Sequence, residues 1–284
     1  MPPSPPAVPF KCPACDGTAE SYALSKGAFQ IYRCETCGLG RTLLSSNFDS
    51  AAYYDESYFQ GGVADGYADY QGSADALRLE FRHIIRDLLP LCKGGRLLEF
   101  GCAYGFFLDE AAPHFGSVHG VEYSDAAARS CRQRGLDVKT GSVEEELLEG
   151  VYDTVVGLDV IEHVRDPYDV VRVLAKHMPP SGILVMTTGD WASFSARVLG
   201  SRWRLMTPPQ HLWFFTPAAM NALLKRNGLE LVSLTHPWKR VPLSLVAYQL
   251  ERMVGVTPRR MPWLNRLAIP LTLGDAMRVV ARKA

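Results

Sequence analysis

The chain has 284 residues, of which 47% are hydrophobic and 21% charged, as is typical of a soluble globular protein. No apolar run reaches the roughly 20 residues of a membrane span, and the N-terminus has no secretory-signal pattern, so we expect a cytoplasmic protein. The formal net charge is zero, yet residues 191–284 hold 14 Lys and Arg against 3 Asp and Glu. This basic final third favours an anionic partner.

Two Cys-x-x-Cys pairs follow a Pro-rich tip, and 18 residues separate them. The four cysteines are Cys12, Cys15, Cys34 and Cys37. Two such turns can direct four thiolates at one point, which is the usual ligand set of a structural zinc ion. A redox role for a single pair is the alternative, and the ribbon spacing argues against it. We therefore predict a zinc ribbon over residues 1–44, with a small hairpin over residues 21–33.

An aromatic linker and a helix occupy residues 45–90. Six rings lie between Tyr53 and Tyr70. Two interpretations stay open: the linker packs as an arm on the main domain, or some of its rings line a pocket. Residues 74–89 have the apolar spacing of an amphipathic helix.

Strand and helix patterns alternate through the remainder of the chain, residues 91–284. The predicted strands are 96–100, 117–121, 137–140, 152–158, 182–188, 229–234 and 276–281, the last of them at the sheet edge. The predicted helices are 105–114, 125–134, 143–148, 167–177 and 216–227, with Ser124 or Asp125 as an N-cap. This alternation predicts an α/β fold with a Rossmann-like, seven-stranded, mostly parallel sheet and helices on both faces.

Two apolar stretches, 241–254 and 261–273, interrupt the C-terminal part. Packing, a substrate lid and an interfacial helix on a membrane are the alternatives for this insertion.

A glycine-bearing turn directly follows the first main strand. Glu99 closes that strand, and Gly101 and Gly105 leave room for a close backbone approach to a ligand. Glu122 closes the next strand, about 20 residues on, where an acid can accept both hydroxyls of a ribose. Asp159 follows the fourth strand. Together these acids predict a pocket for a nucleoside without phosphates.

Four blocks carry a resemblance to a known family. Residues 98–105 resemble the first motif of class I S-adenosylmethionine-dependent methyltransferases, and Gly120-Val121-Glu122 resembles their ribose-binding segment. Residues 152–167 and 209–216 are similar to segments of the ubiquinone-biosynthesis-like O-methyltransferase branch. The resemblance covers roughly residues 70–283. The zinc ribbon also resembles N-terminal modules of some sugar methyltransferases.

The resemblance implies S-adenosyl-L-methionine as the methyl donor. The residues it assigns to the donor are Glu99, Gly101, Cys102, Gly105, Glu122, Tyr123, Ser142, Val143 and Asp159. Ala103 departs from the family pattern because it replaces a glycine. Ser142 and Val143 stand where an acid often meets adenine, so the backbone amide of Val143 is the expected contact.

The acceptor side is expected at His163 and His211. His163 follows the fourth strand and is the first choice as general base, and His211 is the second. A structural histidine is the alternative for His163, as is a divalent cation held by Glu162 and His163.

The leading functional prediction is methylation of a small molecule, with oxygen favoured over carbon or nitrogen. A sugar, a nucleotide-sugar or a lipid-linked precursor are the acceptors considered, an anionic one being favoured. Peripheral membrane contact through the C-terminal third is also expected. The alternatives are an RNA methyltransferase and a non-catalytic scaffold. The ribbon residues 11–41 have a net charge of only +1, so we do not expect a nucleic-acid partner.

Overall fold

The computed structural model describes residues 10–44, 72–144, 146–237, 239–243, 247, 251, 268–271 and 274–284. The predicted aromatic linker and most of the two C-terminal apolar stretches lie outside these residues.

Thirteen strands and six α-helices are defined within the described residues. The strands are β1 (Glu20–Lys26), β2 (Phe29–Cys34), β3 (Gly40–Leu43), β4 (Arg96–Phe100), β5 (Ser117–Glu122), β6 (Asp137–Thr140), β7 (Thr154–Leu158), β8 (Ile183–Gly189), β9 (Trp213–Phe214), β10 (Leu229–Thr235), β11 (Lys239–Pro242), β12 (Ala268–Leu271) and β13 (Ala276–Lys283). The helices are α1 (Ala74–Leu88), α2 (Phe106–Ala111), α3 (Asp125–Gln133), α4 (Pro167–Lys176), α5 (Phe194–Leu199) and α6 (Pro217–Arg226). Short 3-10 turns follow α1, α2 and α5.

The main sheet has seven strands in the order β10-β13-β8-β7-β4-β5-β6. Strands β4 to β8 pair in parallel, while β13 runs antiparallel to both β8 and β10. The predicted α/β class and the seven-stranded, mostly parallel sheet are therefore confirmed. The predicted edge position of the last strand is wrong, because β13 lies between two strands and β10 forms the edge. Four side chains of β13, Met277, Val279, Val280 and Ala281, are buried, as an interior strand requires.

Helices cover both faces of this sheet. On one face α1, α2 and α3 pack through residues such as Phe81, Phe107 and Ala127. On the other, α4 and α6 pack through residues such as Leu174 and Leu223. Of the two predicted N-caps of α3, Ser124 is the observed one, since its hydroxyl accepts from the amide of Ala127.

The predicted acidic helix over residues 143–148 is wrong. Among the described residues of this stretch, Leu147 N donates to Glu144 O at 3.1 Å and closes a turn. Val143 and Leu148 are both buried. Residues five apart point about 140° away from each other on a helix, so a helix could not bury both against one core.

The N-terminal strands form a second sheet in the order β1-β2-β3-β9. The predicted small hairpin corresponds to β1 and β2, and β3 extends it. The fourth strand, β9, comes from the main domain, where Gly40 pairs with Phe214 and Arg41 with Trp213. The ribbon is therefore joined to the main domain by strand pairing.

No helix in the parts of the chain that the structure describes is long and apolar enough to cross a bilayer.

Candidate active site

The turn after β4 adopts backbone conformations that require small residues. Gly101 and Gly105 have φ values of 71° and 70°, in the left-handed region. A Cβ built on Gly101 would lie 2.4 Å from Val160, so no larger residue fits. Ala103, which replaces a family glycine, also has a positive φ of 47°. The turn therefore keeps its shape at this position with an alanine in a conformation that costs an L-residue about 1–2 kcal/mol.

Glu99 lies beneath this turn as a buried acid with an unsatisfied oxygen. Its side chain is 3% exposed, and Oε2 has no hydrogen-bond partner among the described residues. Burial, together with the nearby Cys131 and Glu122, raises the pKa of Glu99 well above its usual value. A buried acceptor without a donor is costly unless a ligand supplies one. The unsatisfied oxygen of Glu99 therefore fits a cationic donor such as the ammonium group of a methionine moiety.

Glu122 ties the end of β5 to the same turn. Its Oε2 accepts from Ala103 N and its Oε1 from Ser124 N, both at 2.7 Å. Burial raises the pKa of Glu122, and the backbone donors partly oppose that shift. Each carboxylate oxygen has a second lone pair, so these bonds leave capacity for two ribose hydroxyls. The structure thus brings Glu99, Glu122 and the glycine turn together, as the sequence predicts.

The remaining predicted donor-site residues differ in exposure. Cys102 is buried, and the Cys131 side chain and burial raise the pKa of its thiol well above the usual value. Tyr123 is 49% exposed, whereas Val143 is buried. The Ser142 hydroxyl donates to Glu144 at 2.7 Å. Cys102 is therefore buried as a small packing residue would be, while Tyr123 and Ser142 are both exposed.

Asp159 is bonded to strand β8 and lies near the two histidines. It has a φ of 55°, and its carboxylate accepts from the Thr187 hydroxyl at 2.8 Å. That same hydroxyl accepts from Asp159 N at 2.9 Å. The negative charge of Asp159 also acts on His163 and His211, whose pKa values it tends to raise. Thr187, on the neighbouring strand β8, was not predicted, because nothing in the sequence marks it as a partner of Asp159.

His163 and His211 lie against each other. Their ring centroids are 4.7 Å apart and the rings meet edge to face at 77°. Nδ1 of His163 is 3.0 Å from the carbonyl oxygen of Gln210. A carbonyl can only accept, so Nδ1 carries the proton and Nε2 is the basic nitrogen of the neutral ring. The structure therefore unites the two predicted acceptor-side residues, which are 48 positions apart.

Both histidines are held in the neutral form. Burial lowers the pKa of His163, against the opposing effects of the Gln210 carbonyl and Asp159. Burial, with the neighbouring His163, lowers the pKa of His211 to about 3. A neutral imidazole at pH 7 is the form that can accept a proton.

Glu162 completes a second cluster with these histidines. One ligand atom each of Glu162, His163 and His211 lies within 4.8 Å of the other two. Two imidazoles and one carboxylate form a known ligand set for divalent metals. The sequence predicted Glu162 and His163 as the alternative cation ligands, and the structure adds His211.

The four N-terminal cysteines converge as predicted. Their sulfur atoms all lie within 4.8 Å of one another. The Cys12–Cys37 and Cys15–Cys34 sulfur distances are both 3.6 Å. A tetrahedron with zinc–sulfur bonds of about 2.3 Å has edges of about 3.8 Å, whereas a disulfide would need about 2.05 Å. The donor set and its spacing therefore fit a zinc ion held by four thiolates.

Comparison with known proteins places the fold in a family. A family model described as a methyltransferase domain matches residues 74–234. The ubiquinone biosynthesis O-methyltransferase of Xanthomonas euvesicatoria is 28% identical over 213 residues, covering 66% of this chain and 87% of that protein. The protein of the same name from Marinobacter nauticus is 30% identical over 179 residues, covering 57% of this chain and 74% of that protein.

Solved structures show the same fold. Magnesium protoporphyrin IX methyltransferase from Synechocystis, with bound SAH, has a TM-score of 0.54 at 15% identity and covers 82% of this chain and 98% of its own. A SAM-dependent methyltransferase from Archaeoglobus fulgidus has a TM-score of 0.52 at 18% identity, covering 72% and 94% respectively.

The family match and the relatives define the class of the protein, an S-adenosylmethionine-dependent methyltransferase. The chain belongs to the methyltransferase-domain family. The predicted enzyme class is therefore confirmed, and these comparisons give no support to the scaffold alternative.

Proposed function

We propose that this enzyme methylates an oxygen of a small molecule and that His163 is the general base. The observation that carries the proposal is the neutral His163–His211 pair beside Asp159, at the carboxyl ends of the parallel strands. Ligands bind at this edge in open α/β sheets. The relatives from Xanthomonas and Marinobacter, named as O-methyltransferases, support oxygen as the acceptor atom.

The donor is held by residues of the glycine turn and β5. Glu99 binds the ammonium end, Gly101 and Gly105 allow close approach, and Glu122 accepts the ribose hydroxyls. When bound, S-adenosylmethionine supplies an electrophilic methyl group on a positively charged sulfur. Because the proton of an acceptor hydroxyl must leave as the new bond forms, a base on the acceptor side is required. His163 Nε2 takes that proton, while the Gln210 carbonyl fixes the ring through Nδ1.

Tritium-labelled S-adenosylmethionine tests this function on a panel of hydroxyl-bearing sugars, nucleotide-sugars and lipid-linked precursors. We expect label transfer to one class, with the methyl located on oxygen by fragment masses. The His163→Ala variant should lose about 100-fold or more in kcat, with an unchanged S-adenosylmethionine Kd by calorimetry. Full activity of this variant removes His163 as the base, and methylation at carbon or nitrogen refutes the choice of oxygen.

A divalent cation held by Glu162, His163 and His211 is the second candidate for the acceptor side. The observation that favours it is the convergence of their ligand atoms. Turnover measured after chelator treatment and after return of Mg²⁺ or Mn²⁺ separates the two. Turnover that is lost and then restored supports the cation, and unchanged turnover supports the base.

We propose a structural zinc ion at Cys12, Cys15, Cys34 and Cys37, since their sulfur spacing matches a tetrahedral site. Four protein ligands leave no open position, so this metal has no place in the chemistry. Elemental analysis should give one zinc per chain, and the Cys12→Ser/Cys34→Ser double variant should hold none. The described cysteines form no disulfides, which is consistent with a cytoplasmic location.

Helix α5 supports the peripheral membrane contact. Phe194 is 82% exposed and Val198 65%, one turn apart on the same side. Arg197 lies between them in the sequence and Arg202 follows, and both are exposed. Apolar side chains beside cationic ones suit the surface of an anionic bilayer. This surface is adjacent in sequence to the end of β8, so it would also admit a lipid-linked, anionic acceptor.

Sedimentation with vesicles tests this contact. The protein should bind phosphatidylglycerol vesicles better than phosphatidylcholine ones, and Phe194→Ser/Val198→Ser should abolish the difference. Val151→Ser is the matched control, because Val151 is 48% exposed elsewhere on the surface. Equal binding of the double variant and the control contradicts the assignment.

A further inference from the structure

The zinc ribbon and the segment that carries His211 are joined by backbone pairing. Gly40 pairs with Phe214 and Arg41 with Trp213 across β3 and β9. Just before the start of β9, Leu212 O accepts from Thr42 N at 2.9 Å. Gly40 has no space for a side chain, since a Cβ would lie 2.5 Å from the Trp191 ring. The ribbon thus lies directly on the chain that precedes and forms β9.

Thr42 makes a second bond to this segment through its side chain. The hydroxyl donates to the carbonyl oxygen of His211 at 2.7 Å, although the two residues are 169 positions apart. Thr42 is only 3% exposed, so water cannot easily replace this bond. The position of the His211 backbone is therefore set from the ribbon side.

The opposite side of the same segment is bound to the turn that carries His163. Leu212 N and Trp213 N donate to the Glu162 carbonyl at 2.9 and 3.1 Å. The Trp213 indole N–H donates to Val164 O at 2.9 Å. Residues 211–213 are thus held between the ribbon on one side and the Glu162–Val164 turn on the other.

The cysteine cluster itself is tied to the end of this segment. Thr216 is 3% exposed, and its hydroxyl donates to the carbonyl oxygen of Cys37 at 2.9 Å. Arg226 at the end of α6 donates to Pro13 O at 2.6 Å and pairs with Asp16. Because a ribbon of this size depends on its metal to fold, these anchor points depend on the metal as well.

We propose that Thr42 is a positioning residue for His211 and that the ribbon supports the acceptor side of the active site. The proposal rests on the proposed function, in which His163 and His211 serve the acceptor. The Thr42 hydroxyl fixes the His211 backbone, His211 packs edge to face on His163, and His163 is thereby held with Nε2 toward the acceptor side. A misplacement of about 1 Å at a reacting group can cost on the order of 100-fold in rate, so a remote hydroxyl can matter.

Thr42→Val and Thr42→Ser form a matched pair for the test. Both keep the backbone bond to Leu212, and only the serine keeps the hydroxyl. We expect Thr42→Val to lower kcat about tenfold or more and to shift the acid limb of the pH–rate profile, with zinc content and S-adenosylmethionine Kd unchanged. Thr42→Ser should restore most of the rate. Equal losses in the two variants would show that keeping the hydroxyl does not preserve the rate, which overturns the proposal.

Imidazole NMR of the zinc-loaded full chain gives a readout independent of turnover. With ¹⁵N-labelled histidine, the signals of His211 and His163 should move in Thr42→Val and stay in place in Thr42→Ser, while that of the exposed His114 stays in place in both. Unmoved His211 and His163 signals in Thr42→Val sink the proposal.

The same measurements separate this proposal from the proposed function. If His163→Ala and His211→Ala both keep full kcat, the assigned acceptor chemistry has failed. The NMR shifts still decide whether Thr42 positions His211.

Discussion

The donor side and the acceptor side that we propose for this enzyme are built in different ways. The donor side consists of one strand–turn–helix unit, Glu99 to Gly105, and one acid on the adjacent strand, Glu122. The acceptor side brings together the turn after β7, the residues before β9 and the ribbon strand β3. The first is mostly local in sequence and the second depends on contacts between distant segments.

This difference has an energetic counterpart. On the donor side a buried carboxylate remains unsatisfied at Glu99 and an alanine adopts a left-handed conformation at Ala103. In the proposed function the ligand offsets the first of these costs, and the surrounding fold maintains the second. On the acceptor side the main chain is bonded on both of its edges, and its histidines are kept neutral by burial. Ligand binding should therefore stabilise the donor side more than the acceptor side.

The largest expected effect is that of Glu122→Ala. S-adenosylmethionine should bind about 1–3 kcal/mol more weakly, because charge-assisted hydrogen bonds are lost. The free energy of unfolding should fall by about 2 kcal/mol, since the amides of Ala103 and Ser124 lose their acceptor. Calorimetry and urea unfolding measure the two. Glu144→Ala, which removes an exposed carboxylate, is the control, and unchanged ligand affinity in Glu122→Ala refutes the ribose assignment.

Glu99→Gln should have opposite effects on binding and on stability. Affinity for S-adenosylmethionine should fall about tenfold, since a charged acceptor becomes neutral. The ligand-free protein should become more stable, because the buried carboxylate is removed. The folded pKa of Glu99 is raised above the unfolded value, so wild-type stability falls as pH rises above about 4.5. Thermal unfolding from pH 4.5 to 8 should show the advantage of the variant growing with pH, and a variant that is less stable throughout contradicts this account.

The acid limb of stability should depend on His211. Its folded pKa of about 3 lies below the unfolded value near 6.5, so the unfolded chain binds the additional proton between these pH values. Stability should therefore be lost as pH falls from 6.5 toward 3. His211→Phe should reduce the slope of unfolding free energy by up to about 1.4 kcal/mol per pH unit in that window. An exposed-site variant, His114→Gln, serves as the reference, and identical slopes in the two variants would falsify the burial of a neutral His211.

The smallest expected effect is that of Ala103→Gly. Glycine relieves the left-handed conformation but loses more backbone entropy, so a net gain of about 0.5 kcal/mol is expected. The bond from residue 103 N to Glu122 is unaffected, and S-adenosylmethionine should bind at least as tightly. Ala126→Gly in helix α3 should lose about 0.5–1 kcal/mol instead. Urea unfolding of the two variants sharpens the comparison, and equal losses would show that Ala103 is unstrained.

The sequence is sufficient for most of the fold and for the grouping of the proposed donor-side residues. The apolar pattern identifies the main strands and helices. Each main strand is a short apolar run, and the helices that pack on the sheet have apolar residues along one face. Glu99, Gly101, Gly105 and Glu122 can be singled out because they stand at or just after strand ends, the positions on which their proposed roles depend. The four cysteines are recognisable from spacing alone.

Most of the contacts that position the proposed acceptor-side residues could not be predicted from the sequence. The Thr42–His211 bond has no local pattern, and a two-residue strand such as β9 is too short to show periodicity. The helix predicted at 143–148 does not form. Burial of both Val143 and Leu148 outweighs the helix propensity of the three glutamates between them. The position of β13 depends on which neighbours it pairs with, and its own residues do not encode that choice.

The pairing of β3 with β9 has a consequence for how the chain is made. Residues 213–214 follow β3 by about 170 positions, so they leave the ribosome roughly 10 to 30 s later at 5–20 residues per second. Until then the outer edge of β3 has no partner strand, and its amides and carbonyls are open to other chains. Early binding of metal by the cysteines does not supply a partner strand for this edge. The sheet of the ribbon is complete only when β9, in the second half of the chain, has been synthesised and pairs with β3.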